Sequence, residues 1–546
     1  MDIEERAQEI LEKIKKKETE LSKSKLNNLL NQIKEQKERK APVLPAITKN
    51  ENYMTKIDTT YPLIEPYAFA NIHYDRESHE LIYEVKQPEL NEDEEKALKK
   101  IKETLIDELE LDFFSVEELD KYLCEKVDEV VKKHRIRLSE NSREKIKYYI
   151  IRDFAGLEII EPLMNDVNIE DISCDGANIP IYIYHRMFGS MRTNLQFSDS
   201  DELDSFIIKI AQRSGKHISV AEPLLEGTLP DGSRVQLTYG KEISRKGSTF
   251  TIRKFRGDPM TPPDLIELGT ASPELLAYLW LAIEHDASVL VAGGIAAGKT
   301  TTLNALSLFI PPELKIVTIE DTPELSLPHS NWIPQVTRSG FGPALTNGRR
   351  YGEIDMFDLL KTALRQRPDY IIVGEVRGVE ANTLFQAMAT GHLALSTIHA
   401  DSPQGVIHRL ESPPINIPRV LLQNLDIIVM QVRSRVKGKY VRRIKGTTEI
   451  VGLDPNTQEL ITNDTFKWDP HSDKHHFVSS RSYLMERIMA DMNISEEEMR
   501  RELENRKNIL EWMKNRGIRK FTDVARVVAT YYKSPETVLE DVWRYM

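Results

Sequence analysis

Residues 291–302 read VAGGIAAGKTTT and match the pattern G-x-x-x-x-G-K-[ST]. An apolar segment leads into this turn, and a helical pattern follows it. In a strand–turn–helix of this kind, successive backbone N–H groups point inward and the helix N-terminus adds partial positive charge, so the turn can hold phosphate groups. We therefore predict a P-loop that binds ATP, with Lys299 on the β- and γ-phosphates and the Thr300 hydroxyl on Mg²⁺. The predicted nucleotide-binding residues are Gly293, Gly294, Ile295, Ala296, Ala297, Gly298, Lys299, Thr300 and Thr301.

Short segments rich in valine and isoleucine alternate with helical patterns on either side of this turn. Strands buried on both faces have this composition. The alternation predicts an α/β fold, with a parallel sheet that is covered by helices on both sides. The predicted strands are ASVLVAGG (287–294), KIVTIED (315–321), DYIIVGE (369–375), LALSTIHA (393–400) and DIIVMQV (426–432).

The segment RPDYIIVGEVRG, residues 367–378, places a glutamate directly after an apolar strand. Ligands of open α/β sheets bind at the carboxyl ends of the strands. Glu375 therefore stands where a Walker B carboxylate would act on Mg²⁺ or on a water bound to it. We predict that Glu375 is a catalytic residue and, with Thr300, a ligand of the metal.

The segment KIVTIEDTPEL, residues 315–325, ends its predicted strand in Glu320 and Asp321. An acidic side chain in this place can orient and deprotonate the attacking water in phosphoryl transfer. We predict that Glu320 has this role. The alternative is that Asp321 caps the N-terminus of a helix, and both hold if the two side chains point to different faces.

The segment TGHLALSTIHADS, residues 390–402, brings His399 to the carboxyl end of a further strand. A histidine alone in such a place is more often a packed or a surface residue. Beside a P-loop and two acidic strand ends, however, His399 becomes a candidate sensor of the γ-phosphate. We therefore include it among the predicted catalytic residues.

The chain before the P-loop is organised differently. Residues 67–75 and 80–86 alternate apolar and polar side chains, which predicts a β-hairpin. Residues 41–66 contain several prolines and are interpreted as linker, whereas the strand and helix patterns up to residue 255 predict α+β lobes. The predicted domains are a charged helical segment (1–40), an α+β and helical domain (41–150), a second N-terminal lobe (151–255), a linker (256–263), and the ATPase core with a C-terminal hairpin and helices (264–546).

Residues 1–40 are almost entirely charged and polar, with apolar residues at a spacing of three or four. This spacing predicts a helix with a narrow apolar stripe. The helix is either frayed and solvated, or it docks on a partner or on acidic lipid through the Lys15–Lys17 run.

The composition is that of a globular protein of the cytoplasm. The chain has 546 residues, a formal net charge of −12 and two cysteines. The negative balance disfavours a protein that coats nucleic acid, because such binding depends on lysine and arginine. Two distant cysteines form neither a disulfide framework nor a zinc site. The sequence has no apolar run long enough to cross a membrane and no signal peptide, so we expect a cytoplasmic protein, at most on the inner face of the membrane.

The four motifs, in this order, resemble those of the secretion ATPase superfamily of type II secretion, type IV pili and type IV secretion. In that family a Walker A loop is followed by an acidic box, a Walker B that ends in Gly-Glu, and a His box. The matching segments are GGIAAGKT, IEDTPEL, PDYIIVGEVRG and GHLALSTIHA. The resemblance runs from about Leu157 to Val436. It implies a RecA-like P-loop core, preceded by an N-terminal lobe that closes over the nucleotide.

The resemblance also implies arginines in the N-terminal lobe that reach the nucleotide. LPDGSRVQL (229–237) and FTIRKF (250–255) look like the segments that supply them, which assigns Arg234 and Arg253 to this role. Arg245 is a further candidate. The alternative for each arginine is an ordinary surface charge, which contributes little energy.

Two features point to the archaeal branch of the family. The chain lacks the four-cysteine insert of many bacterial members, and YPLIEPYAFANIHYD (61–75) and TTEIVGLDPNTQELITNDTFKWDP (447–470) look archaeal. The chain most resembles the archaellum motor ATPases, with an ATPase of an archaeal pilus as the nearest alternative. The resemblance implies a homo-hexamer on a polytopic membrane platform protein, with accessory cytoplasmic motor proteins and roles in filament assembly and rotation.

Two other functions fit parts of the sequence. A RecA-like nucleic-acid translocase is favoured only by the basic hairpin at 433–445, which is otherwise explained as a charged edge that prevents aggregation. A scaffold that binds ATP without cleaving it is disfavoured by the presence of both Glu320 and Glu375. The pair His475–His476, with His471 nearby, is interpreted as part of a solvated loop and not as a metal site. We therefore expect ATP and Mg²⁺ as ligands and no nucleic acid as a partner.

Overall fold

A computed structural model describes residues 57–108, 116–255, 258–338, 340, 349–436 and 439–545. These residues form two compact units that divide between residues 257 and 258. The division falls inside the segment 256–263 that was predicted as a linker. The helix predicted over residues 1–40 lies outside the described residues.

The N-terminal unit contains one nine-stranded sheet, with the order β1-β2-β3-β6-β5-β4-β9-β8-β7. The predicted hairpin at 67–86 is confirmed, because β2 and β3 pair antiparallel. Strands from both sides of residue 150 belong to this sheet, so the sheet does not stop at the predicted domain boundary. The strands are β1 (Asp58–Ile64), β2 (Ala68–Asp75), β3 (Glu80–Lys86), β4 (Ile169–Cys174), β5 (Tyr182–His185), β6 (Gly189–Thr193), β7 (Leu224–Thr228), β8 (Arg234–Thr238) and β9 (Thr249–Arg253).

Strand β1 corrects the interpretation of residues 41–66 as linker. Asp58–Ile64 pairs antiparallel with β2, although the strand contains Pro62. A proline is tolerated here because β1 is an edge strand and the register shifts between Pro62 and Ile64. The prolines of this segment therefore led to the prediction of a linker where an edge strand lies.

Helices of the N-terminal unit enclose two apolar cores. Ile101, Leu123 and Ile146 pack together with other buried residues of the first three helices. Phe206 of α5 packs against Phe250 of the sheet, with ring centroids 5.4 Å apart. The helices are α1 (Glu92–Glu108), α2 (Val116–Lys133), α3 (Glu140–Phe154), α4 (Glu161–Asn165) and α5 (Ser200–Arg213).

The C-terminal unit contains a second nine-stranded sheet, in the order β12-β11-β13-β14-β10-β15-β16-β17-β18. Its first six strands are parallel, which confirms the predicted α/β core. Strand β10, which leads into the P-loop, is central. The strands are β10 (Val289–Gly293), β11 (Ile316–Glu320), β12 (Trp332–Val336), β13 (Tyr370–Val373), β14 (Leu393–Ile398), β15 (Ile427–Val436), β16 (Lys439–Leu453), β17 (Leu460–Asp469) and β18 (Lys474–Phe477).

Both faces of the parallel sheet are buried. Val289 and Val291 of β10 belong to one apolar core, and the alternate residues Leu290 and Ala292 belong to the other. Because side chains alternate along a strand, an apolar strand can serve two cores at once. The flanking helices are α6 (Pro262–Glu267), α7 (Pro273–Glu284), α8 (Lys299–Ser307), α9 (Met356–Arg365), α10 (Glu380–Ala389), α11 (Pro403–Glu411) and α12 (Arg419–Leu422).

Helix α6 begins inside the predicted linker. Pro262 and Pro263 occupy its first turn, and Thr261 with Asp264 forms a capping box in front of it. Proline fits the first turn of a helix, because the N–H groups there have no intrahelical partner. Pro262 and Pro263 therefore start a helix, and only the last two residues of the predicted linker belong to it.

The predicted basic hairpin is confirmed as the antiparallel pair β15 and β16. Strands β17 and β18 continue the sheet, and the interpretation of His475 and His476 as a solvated loop is wrong. Both lie in β18, where His475 pairs with Trp468 and its Nε2 atom contacts the Ile444 carbonyl at 2.9 Å. Within the part of the chain that the structure describes, no group of three potential metal ligands occurs.

The last four helices that the structure describes pack on one face of the parallel sheet. Trp280 of α7 stacks on Phe309 and donates from Nε1 to the Tyr532 hydroxyl at 2.8 Å. Arg506 is buried and paired with Glu284. The helices are α13 (Tyr483–Met492), α14 (Glu496–Arg516), α15 (Phe521–Lys533) and α16 (Pro535–Tyr545).

Candidate nucleotide-binding site

Gly293 ends the central strand β10 where the chain turns into the P-loop. It lies opposite Gln431 of β15, and a Cβ atom at position 293 would be 2.4 Å from the Gln431 carbonyl oxygen. Only a residue without a side chain permits such a close approach. The first glycine of the motif is therefore required by the packing of the sheet itself.

The turn after β10 has an exposed tip and a buried base. Ile295 is 87% exposed, whereas Ala297 is 2% exposed. Ala296 and Gly298 have φ angles of 56° and 96°, in the left-handed region. The N–H of Ala297 points across the turn, toward the Gly294 carbonyl oxygen at 3.4 Å. A turn whose backbone N–H groups face its interior, followed by a helix N-terminus, forms a concavity for anions.

Lys299 is the first residue of α8, and its ammonium group folds back over this turn. Its Nζ atom donates to the Gly294 carbonyl at 3.3 Å and lies 3.2 Å from Nδ1 of His399. Thr300 and Thr301 follow in the first helical turn and are half-buried. Thr302 is buried and donates to Gln431 Oε1 at 3.2 Å, which ties the start of the helix to β15.

His399 and Glu375 extend this contact to two further strand ends. Nε2 of His399 lies 3.0 Å from Oε1 of Glu375. Hydrogen bonds between β13 and β14 hold the two strand ends together: the Thr397 hydroxyl donates to the Gly374 carbonyl at 2.7 Å. The structure thus brings together Lys299, His399 and Glu375, which the sequence predicted as separate motifs.

Arg377 was not predicted as a site residue, although it lies inside the quoted Walker B segment. Its Nη2 atom donates to Glu375 Oε2 at 2.8 Å, and its Nη1 atom lies 3.6 Å from Asp321 Oδ2. A continuous polar chain therefore runs from Lys299 through His399, Glu375 and Arg377 to Asp321. The sequence could have indicated Arg377, because it follows Glu375 by two residues and its guanidinium can therefore reach the Glu375 carboxylate.

Glu320 lies at the same edge of the sheet but faces another way. It is 4% exposed, and its Oε1 atom accepts hydrogen bonds from the backbone N–H groups of Glu324 and Leu325, at 2.9 and 3.1 Å. Asp321 is exposed and joins the polar chain. The alternative that Asp321 caps a helix is wrong, because no helix begins at this strand end.

Burial and charge shift the ionisation of the polar chain. Burial, together with the Lys299 ammonium, lowers the pKa of His399, so the ring is neutral at neutral pH. Burial also lowers the pKa of Lys299 below its ordinary value. For Glu375, burial alone would raise the pKa, but the Arg377 hydrogen bond and the charges of Arg377 and Lys299 outweigh it and lower the pKa. Glu375 is therefore an ionised carboxylate at neutral pH.

The site has donor atoms that suit a magnesium ion. Glu375 Oε1 is buried and lies 3.0 Å from His399 Nε2, without the hydrogen bond from Arg377 that Oε2 accepts. An ionised carboxylate oxygen and a hydroxyl oxygen are ligands that Mg²⁺ prefers. Glu375 and Thr300 therefore fit the predicted metal site by their chemistry.

Arg234 and Arg253 belong to the N-terminal unit. They face each other across the paired strands β8 and β9. Arg253 also approaches Asp171 of β4, with its Nε atom 3.5 Å from Asp171 Oδ1. The two arginines are thus brought side by side, and their proposed role at the nucleotide remains a prediction. Arg245 lies exposed between these strands in sequence.

A P-loop between a central parallel strand and a helix, with acidic residues at neighbouring strand ends, defines the RecA-like class of nucleotide-binding folds. Residues 153–543 match the family model described as "Type II/IV secretion system protein", and the chain belongs to that family.

Relatives of the chain come from archaea and bacteria. The chain is similar to the uncharacterized protein MJ0900 of Methanocaldococcus jannaschii, with 38% identity over 77% of this chain and 78% of the relative. It is also similar to the type IV secretion system protein PtlH of Bordetella pertussis, with 32% identity over 44% of this chain and 79% of PtlH.

One similar solved structure is the VirB11 ATPase of the Brucella suis type IV secretion system in complex with sulphate. It shares 24% identity over 55% of this chain and 94% of that chain, with a TM-score of 0.28. Among the residues described for this chain, none of the helices combines the length and the apolar character needed to cross a membrane.

Proposed function

We propose that this chain hydrolyses ATP at the P-loop and uses the energy as a motor subunit of a secretion-type filament machine. The observation that carries the proposal is the polar chain from Lys299 to Asp321. It joins all four motifs at the carboxyl ends of parallel strands, where ligands of such sheets bind.

The residues of the P-loop have distinct tasks in this proposal. The backbone N–H groups of the turn bind the phosphates, and Lys299 leaves His399 and the Gly294 carbonyl to contact them. Such a move is favourable because a phosphate offers the buried ammonium group a full negative charge. Glu375 and Thr300 would hold Mg²⁺, which, when bound, neutralises charge between the β- and γ-phosphates.

His399 would report the presence of the γ-phosphate. In the structure it separates Lys299 from Glu375, and its ring is neutral. A neutral imidazole can donate a hydrogen bond to phosphate from one nitrogen and accept one at the other. We assign the positioning of the attacking water to Glu320, which lies beside Gly374: a Cβ atom there would be 3.2 Å from Glu320 Cγ.

We further propose that the active form is a ring of identical subunits, a homo-hexamer. The family resemblance, which implies such a ring, supports this. In the ring, Arg234 and Arg253, which pair across β8 and β9, would be presented to the nucleotide. Arginine fingers contribute roughly 10³–10⁵ in rate where they have been measured. Hydrolysis per subunit should therefore rise with assembly.

A phosphate-release assay tests the enzymatic part of the proposal. The full chain should release phosphate from ATP, and Lys299→Ala should reduce turnover to background without changing the melting temperature. Turnover per subunit should fall when dilution dissociates the ring. Normal hydrolysis by the Lys299 variant would overturn the site assignment. Turnover that is independent of dilution would overturn the proposal that assembly into a ring completes the site.

We propose the archaellum as the machine that this motor drives, at the cytoplasmic face of the membrane, through a polytopic platform protein and accessory motor proteins. The support is the resemblance of residues 61–75 and 447–470 to archaellum motor ATPases, and similarity to proteins of an archaeon. A pull-down of native complexes tests it. Recovery of an archaellum platform protein supports the proposal, and recovery of a pilus platform protein instead would replace it.

Single-stranded DNA and acidic lipid vesicles, added to the hydrolysis assay, distinguish a nucleic-acid translocase from a protein that contacts the membrane. Stimulation of hydrolysis by single-stranded DNA, without an effect of acidic lipid vesicles, would favour a nucleic-acid translocase. Stimulation by the vesicles alone would support membrane contact.

A further inference from the structure

Arg442 of strand β16 reaches the P-loop, although it lies far from it in sequence. Its Nε atom donates to the carbonyl oxygen of Ala296 at 3.1 Å. Its side chain also lines the turn at Gly298, where a Cβ atom would be 3.2 Å from Arg442 Cδ. The next residue, Arg443, points to the opposite face of the strand and is buried against Asp473. The alternation of the strand therefore presents Arg442 to the turn.

The contact with the Ala296 carbonyl determines where the next N–H points. In a trans peptide unit, the C=O of one residue and the N–H of the following residue point in opposite directions. Because the guanidinium binds the Ala296 oxygen, the Ala297 N–H points away from Arg442 and toward Gly294. The structure shows this arrangement, since that N–H points at the Gly294 carbonyl, which also accepts from Lys299 Nζ.

The peptide unit between Ala296 and Ala297 can rotate about the ψ angle of Ala296 and the φ angle of Ala297. Ala296 has a φ of 56°, a left-handed conformation that disfavours residues with a Cβ atom. Such a rotation would leave this φ unchanged and would turn the Ala297 N–H away from the Gly294 carbonyl. A hydrogen bond from a charged donor to the carbonyl oxygen opposes this rotation.

We propose that Arg442 is a positioning residue, which keeps the Ala297 amide aimed at the phosphates of the nucleotide. This inference rests on the proposed function of the turn and adds to it a contribution from the C-terminal hairpin. Arg442 acts through the backbone of the turn. Its loss should therefore weaken the binding of the triphosphate more than it slows the chemical step.

Substitutions of Arg442 in the full chain test the proposal, with equilibrium binding of a fluorescent non-hydrolysable ATP analogue and steady-state hydrolysis as the two readouts. Arg442→Ala should raise Kd and KM about tenfold, the size expected for the loss of one hydrogen bond to a charged group, with kcat changed less than KM. Arg442→Lys, which keeps a charged donor, should restore most of the affinity. The melting temperature should be the same in all variants.

Arg435→Ala is the matched control, because Arg435 lies near the tip of the same hairpin. Its guanidinium stacks on Tyr440 and donates to the Tyr440 hydroxyl at 3.0 Å. This variant should bind the analogue within twofold of the wild-type chain. An equal loss of affinity in Arg435→Ala and Arg442→Ala would show an unspecific charge effect and would overturn the proposal.

The Lys299→Ala variant distinguishes failure of the proposed role of Arg442 from failure of the proposed function. If the wild-type chain binds the analogue, Lys299→Ala does not, and Arg442→Ala binds as the wild type does, the role of Arg442 is refuted and the proposed function stands. If the wild-type chain does not bind the analogue, or Lys299→Ala binds it equally well, the proposed function and the role of Arg442 are both refuted.

Discussion

Gly293→Ala is the substitution whose effect on the site follows most directly from the coordinates. The added Cβ atom would meet the Gln431 carbonyl oxygen at 2.4 Å, whereas ordinary contacts begin at 3.4 Å. The oxygen is backbone and cannot move alone, so β10 and β15 must separate at the entrance to the P-loop. The required shift is about 1 Å, a displacement that can cost about 100-fold in rate at a catalytic site. The overpacking should also lower the free energy of unfolding by about 1–3 kcal/mol.

A phosphate-release assay and thermal melting of the full chain measure these two effects. We expect the turnover of Gly293→Ala to fall about 100-fold while the chain stays folded. Gly294→Ala is the matched comparison, because a Cβ atom at position 294 meets no protein atom within 4 Å. Its loss of turnover should be much smaller. Hydrolysis by Gly293→Ala within twofold of the wild-type rate would refute the argument that the sheet demands glycine there.

Two further predictions concern ionisation. Arg377→Ala removes the hydrogen bond and charge that lower the pKa of Glu375, so the acid limb of the pH–rate profile should move to higher pH; an unshifted limb would show that Glu375 does not limit the rate. Burial lowers the pKa of His185 from 6.5 to about 4. As the pH falls, the His185 ring is therefore protonated in the unfolded chain before it is protonated in the folded chain. The contribution of the neutral ring to the free energy of unfolding is complete above pH 6.5 and is lost as the pH falls toward 4. His185→Asn, whose amide oxygen can accept from the backbone as Nδ1 does, should flatten the melting temperature over this interval, and an unchanged slope would contradict the assignment.

The parallel core and the P-loop were predictable because their signals are local. Apolar runs bounded by turns define the strands from 287 to 432. The motif at 291–302 specifies the strand, the turn and the helix start within twelve consecutive residues. The same strands indicated which side chains would converge, since the carboxyl ends of parallel strands share one edge of a sheet. Lys299, Glu375 and His399 were found in this way.

The parts that were missed depend on contacts between distant segments or on the direction of a side chain. Whether Glu320 or Asp321 joins the polar chain is decided by which side chain is held by the backbone at 324 and 325. The hydrogen bond between Arg442 and Ala296 requires the register of the hairpin, which no local pattern encodes. Strand β1 was missed because Pro62 is tolerated only at the edge of the sheet, and the edge position of β1 depends on its pairing with the distant strand β2.

A crystal structure of the Glu375→Gln chain with ATP and Mg²⁺ tests the central claim most directly. Removal of the carboxylate charge should leave binding intact and stop cleavage, so the nucleotide should be trapped whole. The account predicts a triphosphate seated in the turn at 293–300, with Lys299 Nζ moved from His399 onto its phosphates. A nucleotide bound elsewhere, or a turn that stays empty at saturating ATP, would contradict it.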